Sequence, residues 1–303
     1  MRLTHSRAVL LMVLVTLLWS VAGVVTRHLE AARSFEVTFW RSAFNALALA
    51  AALLAMRGAR LLADLRRGGW PLWVSGACWM VMYTNFMVAI TLTTVATVLI
   101  TMSIAPLLTA LFARLFLYHR LPTRAGVAIG VAGVGIAWMF GQQAFAPGVS
   151  MTGALVALGV PIAGATNWTL LQHLHQRHAA DPAIDAPDML PAVLLGALLS
   201  AAVTLPLALP FSATAHDLSL LALLGVVQLA IPCLLVVQLT RVLPAPEISL
   251  IGLLEVIFGV LLVWVGAGEA PGPTALAGGA LVIGALLVNE GLALRERNAR
   301  LVR

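Results

Sequence analysis

The chain has 303 residues, 61% of them hydrophobic and 10% charged, with a mean hydropathy of +1.00. Soluble globular domains carry roughly 25% charged residues, so water is not the main solvent for this chain, and little of it remains for an appended catalytic domain. The formal charge of +6 rests on arginine alone and is spread over short loops and tails, whereas a nucleic-acid reader gathers its basic residues on one face of a folded domain.

Ten apolar segments follow one another: 8–26, 35–56, 70–91, 95–117, 124–141, 151–172, 189–209, 218–239, 246–266 and 273–292. Each approaches the roughly 20 residues that a helix needs to cross a bilayer. The first is too long for a signal-peptide core and lacks a small-x-small cleavage site, so it reads as a retained span. Breakers such as Gly68-Gly69, Pro122, Pro147-Gly148, Pro187, Pro210 and Pro271-Gly272-Pro273 separate the segments. The shortest connection, Thr91 to Thr94, predicts that spans 3 and 4 are antiparallel neighbours. Pro106 and Pro232 fall inside spans 4 and 8, and each removes an N–H donor, which predicts a kink or a hinge. Gly126 and Gly130 form a GxxxG pattern, read as packing span 5 within the bundle in preference to making a dimer. Cys78 and Cys233 lie in apolar segments and read as small hydrophobes, with no disulfide or zinc pattern. His173, His175, His178, Asp181, Asp185 and Asp188 gather at the end of span 6; Asp181 and Asp185 are four apart but His173 and His175 are not, and the group reads as a solvated loop in preference to a metal site.

The arginines set the expected orientation. Of 18 basic residues, Arg41 lies within a span, and Arg27 and Arg33 fall on one side; the remaining fifteen fall on the other. The positive-inside rule then puts both termini in the cytoplasm. Trp70 and Trp73 at one level, and Trp40, Trp138 and Trp264 at the other, suit headgroup anchors.

The ten segments fall into two sets of five. Because five is odd, a second copy of the same fold enters the membrane from the opposite side, the inverted-repeat plan of many transporters. Span 4 runs from Ala96 through Pro106 to His119, and span 9 from Pro246 through Glu255 to Gly268-Glu269; each is followed by a glycine-rich span, with Gly126, Gly130 and Gly133 in one and Gly278, Gly279 and Gly284 in the other. With Leu18-Trp19-Ser20, Phe39-Trp40-Arg41 and Leu254-Glu255, this pattern resembles the drug/metabolite transporter superfamily, specifically its EamA-type ten-helix exporters. Within that family it looks most like the YddG-type exporters of aromatic amino acids. The resemblance implies an all-α integral membrane protein, with repeats over 1–145 and 146–303, that exports a small metabolite by alternating access. His119 stands where the family often has Glu, and Val256 where it often has Pro. No phosphate-cradling motif occurs, since the chain has no lysine.

Arg41 and Glu255 are the clearest intramembrane charges. An ionised group at mid-bilayer costs roughly 2.5–3.5 kcal/mol on insertion scales, so each is paired, hydrated or functional. Three readings stand: they pair with each other, Glu255 carries protons, or Arg41 holds a substrate carboxylate. Trp19, Trp79, Tyr83 and Trp168 are candidate aromatic walls, with Trp79 and Tyr83 on one helix face and Met80 and Met87 near it; ordinary packing is the competing reading. Among uncharged polar residues, Asn85, Asn167 and Gln228 are candidate substrate contacts and equally candidate interhelical glue, as are Ser20, Asn45, Ser249 and others.

The leading expectation is a secondary exporter of amino acids, aromatic or otherwise neutral, in the bacterial inner membrane. The expected partners are a small-molecule substrate, the bilayer and a coupling proton, with no cofactor and no metal, in a monomer. A multidrug or nucleotide-sugar carrier of the same fold is the runner-up. A channel or non-transporting receptor is the alternative from another class. An intramembrane enzyme is disfavoured, because no Asp or His falls at mid-span.

Overall fold

A computed structural model of the chain describes residues 3–26, 28–32, 34–58, 60–93, 98, 101–118, 122–144, 150–181, 188–267 and 273–301. Arg27, Arg33, Thr94, Ala96, His119, Pro147, Gly148, Asp185, Pro187, Gly268, Glu269, Pro271 and Gly272 lie outside the described residues.

The described elements are helical. They are α1 (His5–Thr26), α2 (Ser34–Arg57), the short α3 (Arg60–Arg67), α4 (Gly69–Leu92), α5 (Ala105–Leu117), α6 (Thr123–Ala144), α7 (Met151–Ala180) and α8 (Leu190–Ala208). Then α9 (Ala215–Leu223), a π-helical segment (Leu224–Ala230) and α10 (Ile231–Leu239) run on as one rod. They are followed by α11 (Ala245–Gly252), α12 (Leu254–Ala267) and α13 (Pro273–Leu301). Among the described residues, 7 helical runs are long and apolar enough to cross a bilayer, and Ala105–Leu117, Thr123–Gly135 and Leu276–Asn289 are shorter apolar stretches. Large apolar side chains such as Leu10, Val127, Val265 and Leu287 face outward, as hydrocarbon allows and water does not.

The halves embrace each other. Helix α1 packs on α10, α11 and α12 of the second half; its counterpart α7 packs on α4 and α5 of the first. Likewise α2 packs on the π segment and α8 packs on α4, while α2 meets α8 and α6 meets α13 across the centre. Exchanging the halves therefore maps the main helix contacts onto one another. Close approach at the crossings needs glycine: a Cβ on Gly225 would meet Phe44 Cβ at 2.6 Å and the Arg41 carbonyl at 2.8 Å, and one on Gly196 would strike Trp79 Cβ.

Spans 3 and 4 are in contact: Phe86, Ala89 and Ile90 of α4 cluster with Val98 and Met102 of span 4 and with Val156 and Ala157 of α7. Beyond that cluster α4 lies on α7 and α8, and α5 on α7 and α11. The glycine pair of span 5 is placed otherwise than expected. Gly126 and Gly130 are exposed, with nothing near either Cβ position, and it is Gly135 that meets the Gly278 carbonyl of α13. Pro106 starts α5 after a turn at Ser103-Ile104, and Pro232 follows the π segment at the start of α10. Each proline thus coincides with a local irregularity of its span, a turn ahead of Pro106 and a π segment ahead of Pro232, as the missing N–H predicts. Pro161 and Pro206 are the prolines inside helices.

Spans 4 and 9 are both interrupted, at matching places. Ile104 N–H donates to the Thr101 carbonyl (3.3 Å), and Leu253 N–H to the Leu250 carbonyl (3.2 Å), each a tight three-residue turn ahead of α5 and α12. The two breaks lie about half the chain apart, and the second has Glu255-Val256 where the first has Ala105-Pro106. The break therefore survives in the half that lacks the proline.

Candidate functional site

The two broken spans meet α1, α2, α4, α7 and the π segment around one cavity of about 150 Å³, a size that accommodates a benzene-sized ring. Met102 and Ala105 flank the first break; Ser249, Gly252, Leu253, Glu255 and Val256 flank the second. Ser249 Oγ lies 2.7 Å from Thr109 Oγ1, tying the two interrupted helices together.

Seven of the nine sequence candidates line this cavity: Trp19, Arg41, Trp79, Tyr83, Trp168, Gln228 and Glu255. Asn85 and Asn167 do not. Asn85 Nδ2 donates to the Val156 carbonyl (3.1 Å), and Ser75 Oγ donates to Asn167 Oδ1 (2.6 Å). Both amides join α4 to α7. A polar side chain in hydrocarbon needs a partner, but residue type alone does not say whether the partner is a ligand or a neighbouring helix.

Helix α4 supplies one wall through Trp79, Met82, Tyr83 and Phe86, spaced three and four apart on a single face. Met82 takes the place expected of Met80 and Met87; Met87 packs instead with Leu221 and Leu224. Trp79 stacks at a tilt on Tyr83, with ring centroids 5.5 Å apart, and meets Trp168 of α7 edge-to-face at 5.5 Å. The result is a fixed aromatic corner between the halves. Sequence reasoning missed Met12, Phe86, Met102, Pro161, Gly164 and Cys233 as lining residues, because apolar residues carry no sign of facing a cavity.

The polar groups are few and open. Arg41 is 1% exposed; its Nη2 donates to the Tyr83 carbonyl (2.9 Å), while Nε makes no hydrogen bond. Glu255 stands across the cavity within electrostatic reach of Arg41, yet among the described residues the two form no ion pair. Gln228 Nε2 donates to the Trp19 carbonyl (3.2 Å), leaving Oε1 unpaired, and Trp79 Nε1 is unpaired as well. The cavity thus offers one cation, one carboxylate, a free amide oxygen and a free indole N–H against aromatic and methionine walls. No group of three or more metal-ligating side chains occurs among the described residues. His175 Nε2 contacts Thr240 Oγ1 at 3.1 Å, and Asp188 pairs with Arg57.

A solved crystal structure of another protein matches the fold with a TM-score of 0.75 at 21% sequence identity, over 96% of this chain and 99% of its own. No curated protein matches the sequence. The pattern of the EamA-like transporter family matches residues 6–141 and again residues 151–290. Two successive copies of that unit account for most of the chain and for the exchange symmetry of its helices, and the protein belongs to the EamA-like transporter family.

Proposed function

We propose that this membrane transporter is a secondary exporter of amino acids, aromatic or otherwise neutral, working by alternating access in the bacterial inner membrane. In this reading all ten apolar segments span the bilayer, both termini are cytoplasmic, and the halves 1–145 and 146–303 rock about the shared cavity as a monomer. Arg41 holds the substrate carboxylate, and Glu255 receives the ammonium group or a coupling proton. Trp19, Trp79, Tyr83 and Trp168 enclose the side chain, with Gln228 available to a polar hydrogen on it.

The observation that carries the proposal is the pairing of an unpaired cation and an unpaired carboxylate in one aromatic cavity between two broken helices. Discontinuous helices at a repeat interface are the recurrent setting of transporter substrate sites. Among the described residues Arg41 is the one cation in the lining, whereas the phosphates of a nucleotide sugar call for several, which favours an amino acid. A multidrug carrier is the second reading, supported by Met12, Met82 and Met102 in the lining, since methionine surfaces adapt to varied apolar ligands. The test is uptake of a panel of labelled amino acids into proteoliposomes holding the purified protein, with and without a pH gradient. Saturable uptake competed by one chemical group of amino acids is expected. Uptake of apolar cations with no amino-acid competition supports the multidrug reading, and non-saturable flux supports a channel.

A further inference from the structure

The arginine-rich end of the bundle divides its charges unequally. Arg57 takes both nearby carboxylates: its Nη1 lies 3.1 Å from Asp64 Oδ2, and its Nη2 pairs with Asp188. Arg60, Arg66 and Arg67 of α3 are exposed, and among the described residues none of them forms an ion pair. Three arginines on eight residues thus stand without a protein anion, because the helix's one acid is already spent.

The rest of α3 shows what surrounds them. Leu61 and Leu65 pack into the core, whereas Leu62 is 62% exposed, one helical turn before Arg66 on the same face. Gly69, with φ +60°, turns the chain directly into α4, and Trp70 and Trp73 follow at 65% and 57% exposure. Exposed leucine and indole rings beside free arginines, on a short amphipathic helix between two spans, mark a segment lying in the headgroup plane.

We propose that this face binds the headgroup of an anionic phospholipid. The phosphodiester meets Arg60, Arg66 and Arg67, whose planar guanidinium forks suit paired phosphate oxygens. The glycerol and upper acyl chains lie along Leu62, Trp70 and Trp73. Juxtamembrane cations are drawn to anionic leaflets, and the exposed apolar residues favour a lipid over an acidic protein. The inference rests on the protein spanning a bilayer and is independent of what it carries.

The full-length protein is equilibrated in mixed micelles holding equal amounts of phosphatidylglycerol and phosphatidylcholine, and the retained lipids are counted by native mass spectrometry. Wild type is expected to retain phosphatidylglycerol with about a tenfold preference, equivalent to ~1.4 kcal/mol. The R60Q/R66Q/R67Q variant should lose most of that preference. The charge-matched R295Q/R297Q/R300Q variant should keep it. Equal retention of the two lipids by wild type overturns the proposal, as does an equal loss in both triple variants, which would reduce the effect to net charge. Should the α3 variant fail to purify, quenching of wild-type tryptophan by brominated phosphatidylglycerol in excess of that by brominated phosphatidylcholine, with the excess lost in W70F/W73F, supports the site, and equal quenching by the two lipids overturns it.

Discussion

Glu36 and Asp217 hold each other's doorway. Each carboxylate sits in the first turn of a helix and takes the backbone amides of the loop that leads into the other's helix. Asp217 of α9 accepts from Glu30 N (2.8 Å), Ala31 N (3.0 Å) and Ala32 N (3.0 Å), while Glu36 of α2 accepts from Ser212 N (2.9 Å) and Ala213 N (2.8 Å). Ser212 Oγ stands between them, 2.8 Å from Glu36 Oε2 and 3.0 Å from the Ala31 carbonyl. Asp217→Asn and Glu36→Gln should each lower stability by about 1–3 kcal/mol, since a neutral amide turns a donor toward N–H groups that need an acceptor. The double variant should lose less than the sum of the two, because one hydroxyl serves both loops. Thermal unfolding of the four proteins in detergent decides this, and strict additivity would rule out the coupling.

Glycines at the crossings and glycines at the surface should respond oppositely. Gly196→Ala drives a methyl into Trp79 Cβ, and Gly225→Ala drives one into the Arg41 carbonyl; overpacking of this kind costs about 1–3 kcal/mol. Gly126→Ala and Gly130→Ala meet open space and should be neutral or gain up to about 1 kcal/mol from helix propensity. Melting temperatures of the four single variants are the check, with loss of stability in the surface pair as the contrary result.

Arg41→Lys keeps the charge but not the guanidinium fork. Half-saturating substrate concentration should rise about tenfold or more, ~1.4 kcal/mol, with the melting temperature little changed. Glu255→Gln should abolish any stimulation of transport by a pH gradient while leaving counterflow exchange measurable. Unaltered pH dependence in Glu255→Gln proteoliposomes would remove this residue from proton coupling.

Asn167→Ala and Trp168→Ala separate two neighbours. The amide is bonded to Ser75, whereas the indole lines the cavity. Loss of one interhelical bond, worth about 0.6 kcal/mol in membranes, should lower the melting point slightly and spare substrate affinity. Loss of the indole should weaken binding at least tenfold, ~1.4 kcal/mol. Substrate titration followed by tryptophan fluorescence distinguishes the two.

That Arg41 and Glu255 line one cavity was legible because ionised groups in hydrocarbon are costly enough to demand a reason. Trp79 and Tyr83 were legible because their spacing fixes a shared face. Asn85 and Asn167 bond to Val156 and Ser75 instead of lining the cavity: polarity at depth signals a partner and not its identity. The reciprocal carboxylates were invisible, since Glu36 and Asp217 bind backbone amides, which have no sequence signature. The break at Leu253 was equally hidden. With no proline at that point, the local cue is Gly252, the last residue of α11 and a poor helix former.

The paired interruptions give the cavity a polarity that side chains alone do not convey. A helix start carries roughly half a positive charge from its unsatisfied amides, and both α5 and α12 begin at the cavity wall, at Ala105 and beside Leu253. On the second of these ends Glu255 stands within the first turn; on the first, no acidic residue does. One helix start thus has a carboxylate beside it and the other has none, so two halves that match in backbone differ in charge at the wall they share.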